Sequence, residues 1–170
     1  MEISELRMAN GECCKGEGGK GASFAARQSP VADDIVAIAR SWIGTPYVHQ
    51  ASLKHVGCDC LGLLRGIWRE LTGEEPEEVP PYSLDWAEAT GAETLYMALE
   101  RHAREIAADR LAPGDIALFR MAGHGPAKHC GIVSGRDGLP TLIHARQNKR
   151  VTEEPFSVFW RSKLAFAFRI

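Results

Sequence analysis

The run Gly57-Cys58-Asp59-Cys60-Leu61-Gly62-Leu63-Leu64 constrains this chain more than any other segment. It sets a thiol where a loop turns into an apolar helix. A helix start carries unpaired N–H groups and the positive end of the helix dipole, so it favours a thiolate over a thiol. Two histidines follow in strand-like surroundings. His129 stands in Lys128-His129-Cys130-Gly131-Ile132-Val133, and His144 in Leu142-Ile143-His144-Ala145. An imidazole can hold the proton that the thiol gives up. A helix-start thiol with two later histidines is the raw material of a cysteine hydrolase.

The pattern around these residues predicts helices first and strands afterwards, an α+β fold. Residues 1–29 read as a flexible Gly-rich extension, with five glycines between Gly11 and Gly21 and no apolar periodicity. An overextended start of translation explains them equally well. One folded domain is expected over 30–170. Ser29 suits an N-cap and Pro30 the first helical position. Val31, Ile35, Ile38, Ala39 and Trp42 then recur at helical spacing to about Ile43. A second helix is predicted from about Asp59 to Leu71, closed by Gly73 and carrying Leu61, Leu64, Ile67, Trp68 and Leu71 inward. Residues 74–85 read as an acidic, Pro-rich loop, and a third helix is predicted from about Glu93 to Ile106. Strands are expected at Ile116–Phe119, His129–Ser134, Thr141–Ala145, Lys149–Val151 and Leu164–Arg169, with a turn over Gly135–Pro140.

Composition removes several function classes. A net charge of -2 and short basic clusters give no reason to expect nucleic-acid or anionic-membrane partners. No apolar run reaches the roughly 18 residues of a membrane helix. The first 30 residues hold no hydrophobic segment of the secretory kind. The expectation is synthesis in a bacterial cytoplasm without a signal peptide. The five cysteines, Cys13, Cys14, Cys58, Cys60 and Cys130, are odd in number and too clustered for a secreted disulfide framework.

Among the thiols, position favours Cys60 over Cys58 as nucleophile, because Cys58 lies farther from the helix dipole. The bland alternative for Cys60 is a buried small hydrophobe. Asp59 is expected to cap the helix and support the nucleophile. His129, at a strand start after a Gly-rich loop, is the natural general base. His144 on the next strand would orient the His129 ring. His49, His55, His102 and His124 lack such a setting, and His102 is expected to be solvated on a helix face. Cys130 is expected to point into the core. The chemistry calls for no cofactor and no metal.

Five segments occur in order: Gly44-Thr45-Pro46-Tyr47, Asp59-Cys60-Leu61-Gly62, Pro113-Gly114-Asp115-Ile116, His129-Cys130-Gly131-Ile132-Val133 and Ile143-His144-Ala145. On these the chain resembles the NlpC/P60 family of papain-like cysteine peptidases over roughly residues 31–170. The resemblance implies a helical side carrying Cys60, packed on an antiparallel sheet that carries the histidines. It implies Cys60 as nucleophile, His129 as base and His144 as the orienting third residue. Tyr47 matches a family tyrosine beside the nucleophile, and Tyr47 and Asp59 are the substrate-binding candidates. The implied substrate is the stem peptide of bacterial peptidoglycan, cut between D-γ-glutamate and a diamino acid.

Three departures stand out. Leu61 replaces the usual serine after the cysteine, Val48 to Lys54 replaces a Gly-Gly segment, and Cys130 follows His129. These variants resemble the branch found in phage tails and gene-transfer agents. That branch implies tail hub or baseplate partners and action in the periplasm of a target cell. Three other readings stand beside this one: a tail component with a degenerate site, an amidase or acyltransferase of the same fold, and a zinc site drawn from Cys58, Cys60, His129, Cys130 and His144.

Overall fold

The computed structural model describes residues 30–83 and 91–170. The extension over 1–29, with Cys13, Cys14 and the expected cap Ser29, lies outside the described residues. So do Leu84 and Asp85 at the end of the acidic loop.

The chain opens with α1 (Pro30–Ser41), whose Ile35, Val36 and Ala39 are buried together with Trp42 just beyond it. Val31, expected inward, is 47% exposed. A hairpin too short to announce itself follows, β1 (Ser52–Leu53) on β2 (Gly57–Cys58). Then comes α2 (Cys60–Thr72), with Gly73 as its left-handed C-cap. This helix buries Leu63, Leu64, Ile67 and Trp68. Each is worth roughly 1.5–3 kcal/mol, against about 1 kcal/mol for an N-cap. Burial therefore holds α2 on the sheet, and its cap residue decides where the helix begins.

Helix α3 (Thr94–His102) is shorter than predicted. The chain extends at Ala103 and forms β3 (Arg104–Ile106), which pairs with β8 (Leu164–Arg169). Arg104 and Glu105 are good helix formers, and a pairing 65 residues away in register, Arg104 with Arg169, overrides that local preference. A single turn of tight helix (Ala108–Arg110) leads to β4 (Ile116–Phe119), β5 (His129–Arg136) and β6 (Leu139–His144). The β5–β6 turn is tighter than expected, because Gly135, Arg136, Leu139 and Pro140 are all paired. The next strand falls later than predicted, at β7 (Thr152–Pro155), while Lys149–Val151 only bridges back to Thr45–Tyr47. A short helix not foreseen, α4 (Val158–Lys163), precedes β8.

The strands form one antiparallel sheet in the order β3-β8-β4-β5-β6-β7. Period-two alternation sorts its side chains. Ile116, Leu118, Cys130, Ile132, Ile143 and Phe168 join the core under α1 and α2. Ala117, Phe119, Val133 and Leu142 pack on the other face with Phe156 and Trp160. Asp115, 2% exposed, ties the sheet's end to the last strand through two 2.7 Å bonds from Arg169. No helix of the described residues is long and apolar enough to cross a membrane.

Candidate active site

Asp59 starts α2. Its Oδ1 accepts the Gly62 N–H at 2.7 Å, and its carbonyl accepts the Leu63 N–H at 2.8 Å. The remaining first-turn donors are the N–H groups of Cys60 and Leu61, beside the thiol. Asp59 Oδ2 takes the Gln50 N–H at 2.7 Å and the Tyr82 hydroxyl at 2.6 Å. With both oxygens engaged and 2% exposure, Asp59 stands behind the nucleophile as its support. Gly62 is obligatory here: a Cβ would lie 1.8 Å from the Ala51 carbonyl oxygen.

The two thiols differ. Cys58 is fully buried, and burial, with the Asp59 and Cys60 charges, pushes it up to about 12. Cys60 is half-buried and lines a cleft of about 390 Å³. The neighbouring Cys130 thiol is the largest influence that lowers Cys60. Desolvation opposes the thiolate, and His129 adds a hydrogen bond and its charge. Together these hold Cys60 well below the ordinary thiol range. Cys130 is itself raised well above that range by the same contact and by burial, so it remains a donor, 3.3 Å from the Cys60 carbonyl. Its place in the core was expected; its contact with Cys60 was not.

His129 meets Cys60 from the start of β5. Its Nε2 lies 2.9 Å from His144 Nδ1, and its ring stacks on Trp160 at 5.5 Å. His144 sits at the end of β6, one step beyond the Ile132–Ile143 pair and so opposite Gly131. His129 reaches it diagonally across that glycine. A Cβ on Gly131 would lie 2.9 Å from both His144 Cβ and the Ile143 carbonyl oxygen, so only glycine leaves the second imidazole its place. His144 is 0% exposed. Burial, with the charges of His129 and Arg146, lowers it to about 3, so it is neutral near pH 7.

Tyr47 reaches the cleft from the loop before β1, held by its N–H on the Lys149 carbonyl at 3.0 Å. Burial, then the nearby Cys60 and Asp59 charges, raise its hydroxyl to about 12, leaving it a neutral donor. Lys128, Arg146 and Gln147 also line the cleft.

Three residues enter that the motif reading passed over. His49 lies in the cleft wall, edge-on to Tyr82 at 5.1 Å, with Nε2 2.9 Å from the Tyr82 carbonyl. Its buried Nδ1 has no hydrogen-bond partner among the described residues and stands 3.5 Å from Asp59 Oδ2. Tyr82 supports Asp59 from 23 residues away, and Glu154 stands behind His144, its Oε1 3.0 Å from His144 Nε2. None of the three carried a local signal. His102 also differs from expectation: it is partly buried, 3.0 Å from Glu77 and edge-on to Trp68. Among the described residues, no group of three His, Cys, Asp or Glu side chains is placed to hold a metal ion.

The α+β architecture that carries this site is the NlpC/P60 fold. The NlpC/P60 domain of the peptidoglycan hydrolase SagA superposes with a TM-score of 0.56 at 24% identity, covering 82% of this chain and 98% of that one. An NlpC/P60 family protein from Bacillus cereus ATCC 10987 gives 0.58 at 23% identity, covering 84% of this chain and 41% of that one. In sequence, the chain is 27% identical over 131 residues to the gamma-DL-glutamyl hydrolase of Bacillus subtilis strain 168. That match takes in 76% of this chain and 27% of the relative, so the chain spans about a quarter of that protein's length. No protein-family model matches the sequence.

Proposed function

We propose that the chain is a peptidoglycan peptide hydrolase working through Cys60, His129 and His144. The observation that carries this is the alignment of a lowered, cleft-facing thiol with a histidine whose far nitrogen lies 2.9 Å from a second, neutral histidine. The likeness to peptidoglycan and γ-glutamyl hydrolases supports the substrate class. So does the cleft's charge. Lys128 and Arg146 line it, and its one acidic lining residue among those described is the fully engaged Asp59. Such a lining suits a stem peptide bearing carboxylates.

The thiolate attacks the scissile carbonyl carbon, and the oxyanion is met by the Cys60 and Leu61 N–H groups and the Tyr47 hydroxyl. His129 delivers a proton to the departing amine as the C–N bond breaks, leaving a thioester on Cys60. The same imidazole then takes a proton from water, whose oxygen attacks the thioester and restores the thiolate and the imidazolium. The bond cut is the one between D-γ-glutamate and the diamino acid. The chain serves in a phage-like tail, bound to hub or baseplate proteins, and acts in the target cell's periplasm. That role rests on the Asp59-Cys60-Leu61-Gly62 and Val48–Lys54 variants of the family pattern.

Digestion of diaminopimelate-type peptidoglycan, with mass spectrometry of the fragments, tests this reading. Release of peptides beginning at the diamino acid supports it. Fragments severed at the muramoyl–alanine bond would make the chain an amidase, and intact wall would leave a tail component with a silent site.

A further inference from the structure

We propose that Glu154 is a positioning residue that fixes the tautomer of His144 and, through it, the nitrogen that His129 turns toward Cys60. This rests on the Cys60–His129–His144 reading and adds a fourth member to it.

Glu154 Oε1 lies 2.8 Å from Trp160 Nε1 and 3.6 Å from an Arg146 guanidinium nitrogen. Indole and guanidinium nitrogens only donate, so this oxygen is an acceptor. His144 Nε2, 3.0 Å from the same oxygen, must then carry its proton. A neutral imidazole protonated at Nε2 has a bare Nδ1. That bare nitrogen faces His129 Nε2 at 2.9 Å, and the contact is a hydrogen bond only if His129 is the donor. His129 thereby commits Nε2 to His144 and keeps Nδ1 for the thiol. With an imidazolium, both its protons have acceptors, the Cys60 sulfur and His144.

The fold supplies the reach. Glu154 stands opposite Leu142 in the β6–β7 register, one diagonal from His144, which pairs with Thr152. Its neighbour Glu153 turns to the other face and bonds Arg40, so the two adjacent carboxylates have separate tasks. The groups that face His144 are His129 from β5, Glu154 from β7, Arg146 from the following loop and Trp160 from α4. Those that face Cys60 are His129 and Cys130 from β5, Cys58 from β2, and Asp59, Tyr47 and Tyr82 around the helix start.

The first test needs no variant. Long-range proton–nitrogen correlation spectra of the histidine rings should show His144 protonated at Nε2 near pH 7; a proton on Nδ1 overturns the proposal. The second compares E154A and E154Q with wild type. Alanine removes the acceptor, whereas glutamine keeps an acceptor oxygen. E154A should lower kcat by about 10–100-fold with KM within about twofold, by analogy with the loss of a carboxylate behind a metal-bound histidine. Its Cys60 should alkylate with iodoacetamide along a pH profile moved toward that of an ordinary thiol. E154Q should recover most of both. Wild-type kcat and alkylation profile in E154A overturn the proposal. Equal loss in both variants, with the His144 tautomer unchanged, overturns it in favour of a packing role. Spectra and alkylation are read on the chain itself, so they judge Glu154 even if the peptidoglycan assignment fails.

Discussion

At the scale of single residues, the site depends on small groups as much as on reactive ones. Gly131 separates two imidazoles that must touch, and the 2.9 Å approach of a virtual Cβ to His144 Cβ leaves no slack. Gly131→Ala should therefore displace His144 and cost about 1–3 kcal/mol in a chemical melt, as overpacked sites do. Hydrolysis should fall by at least about tenfold. A variant that melts and turns over like the wild type would show that the diagonal pairing is not under steric control. Cys60, His129 and His144 could be named from sequence because each sits in a short motif with its own local signal. Glu154, His49 and Tyr82 could not, because each acquires its role from a contact that only the folded chain makes. Tyr82 meets Asp59 across 23 residues. Glu154 lies beyond the strand expected at Lys149–Val151, in a Thr-Glu-Glu-Pro segment with no apolar alternation to mark it.

At the scale of elements, the start of α2 is the joint that matters. Asp59 caps the helix and also gathers the Gln50 N–H and the Tyr82 hydroxyl. Asp59→Ala should destabilise the protein by roughly 1–2 kcal/mol through the lost cap. It should also loosen the thiol's surroundings, so hydrolysis should fall more than the melt alone explains. Equal activity per folded molecule would confine Asp59 to the helix. The legible elements are those with strong apolar patterning: α1, α2, β4, β5, β6 and β8 all fall within two residues of expectation at each end. The illegible ones were short or polar. β7 reads Thr-Glu-Glu-Pro, and α4 is six residues whose cap Ser157 makes no side-chain bond. β3 looked like the end of a helix because its partner strand lies at the far end of the sequence.

At the scale of the whole molecule, the helical layer is tied to the far edge of the sheet through Glu153. Its side chain is 2% exposed. Desolvation pushes its pKa upward, yet Arg40, Thr141 and Arg136 outweigh that and bring it down to about 2. A carboxylate depressed in the folded state binds a proton more readily when unfolded. Its stabilisation is therefore complete above the unfolded value of about 4.5 and is lost as pH falls toward 2. The contribution is on the order of 3 kcal/mol. Urea midpoints should drop across that window in the wild type, and Glu153→Gln should be less stable at pH 7 with a flatter acid limb. A parallel limb in the variant would assign acid lability to other groups.

In the proposed reaction the Cys60 sulfur is the attacking atom. The most direct measurement is release of the diamino-acid peptide from a purified muropeptide by the wild type and by Cys60→Ala, at equal concentrations of folded protein. Steady release is expected from the wild type and a fall of at least about a thousandfold in the variant, the scale on which removal of a nucleophile is felt. Comparable release by Cys60→Ala would contradict that role for Cys60.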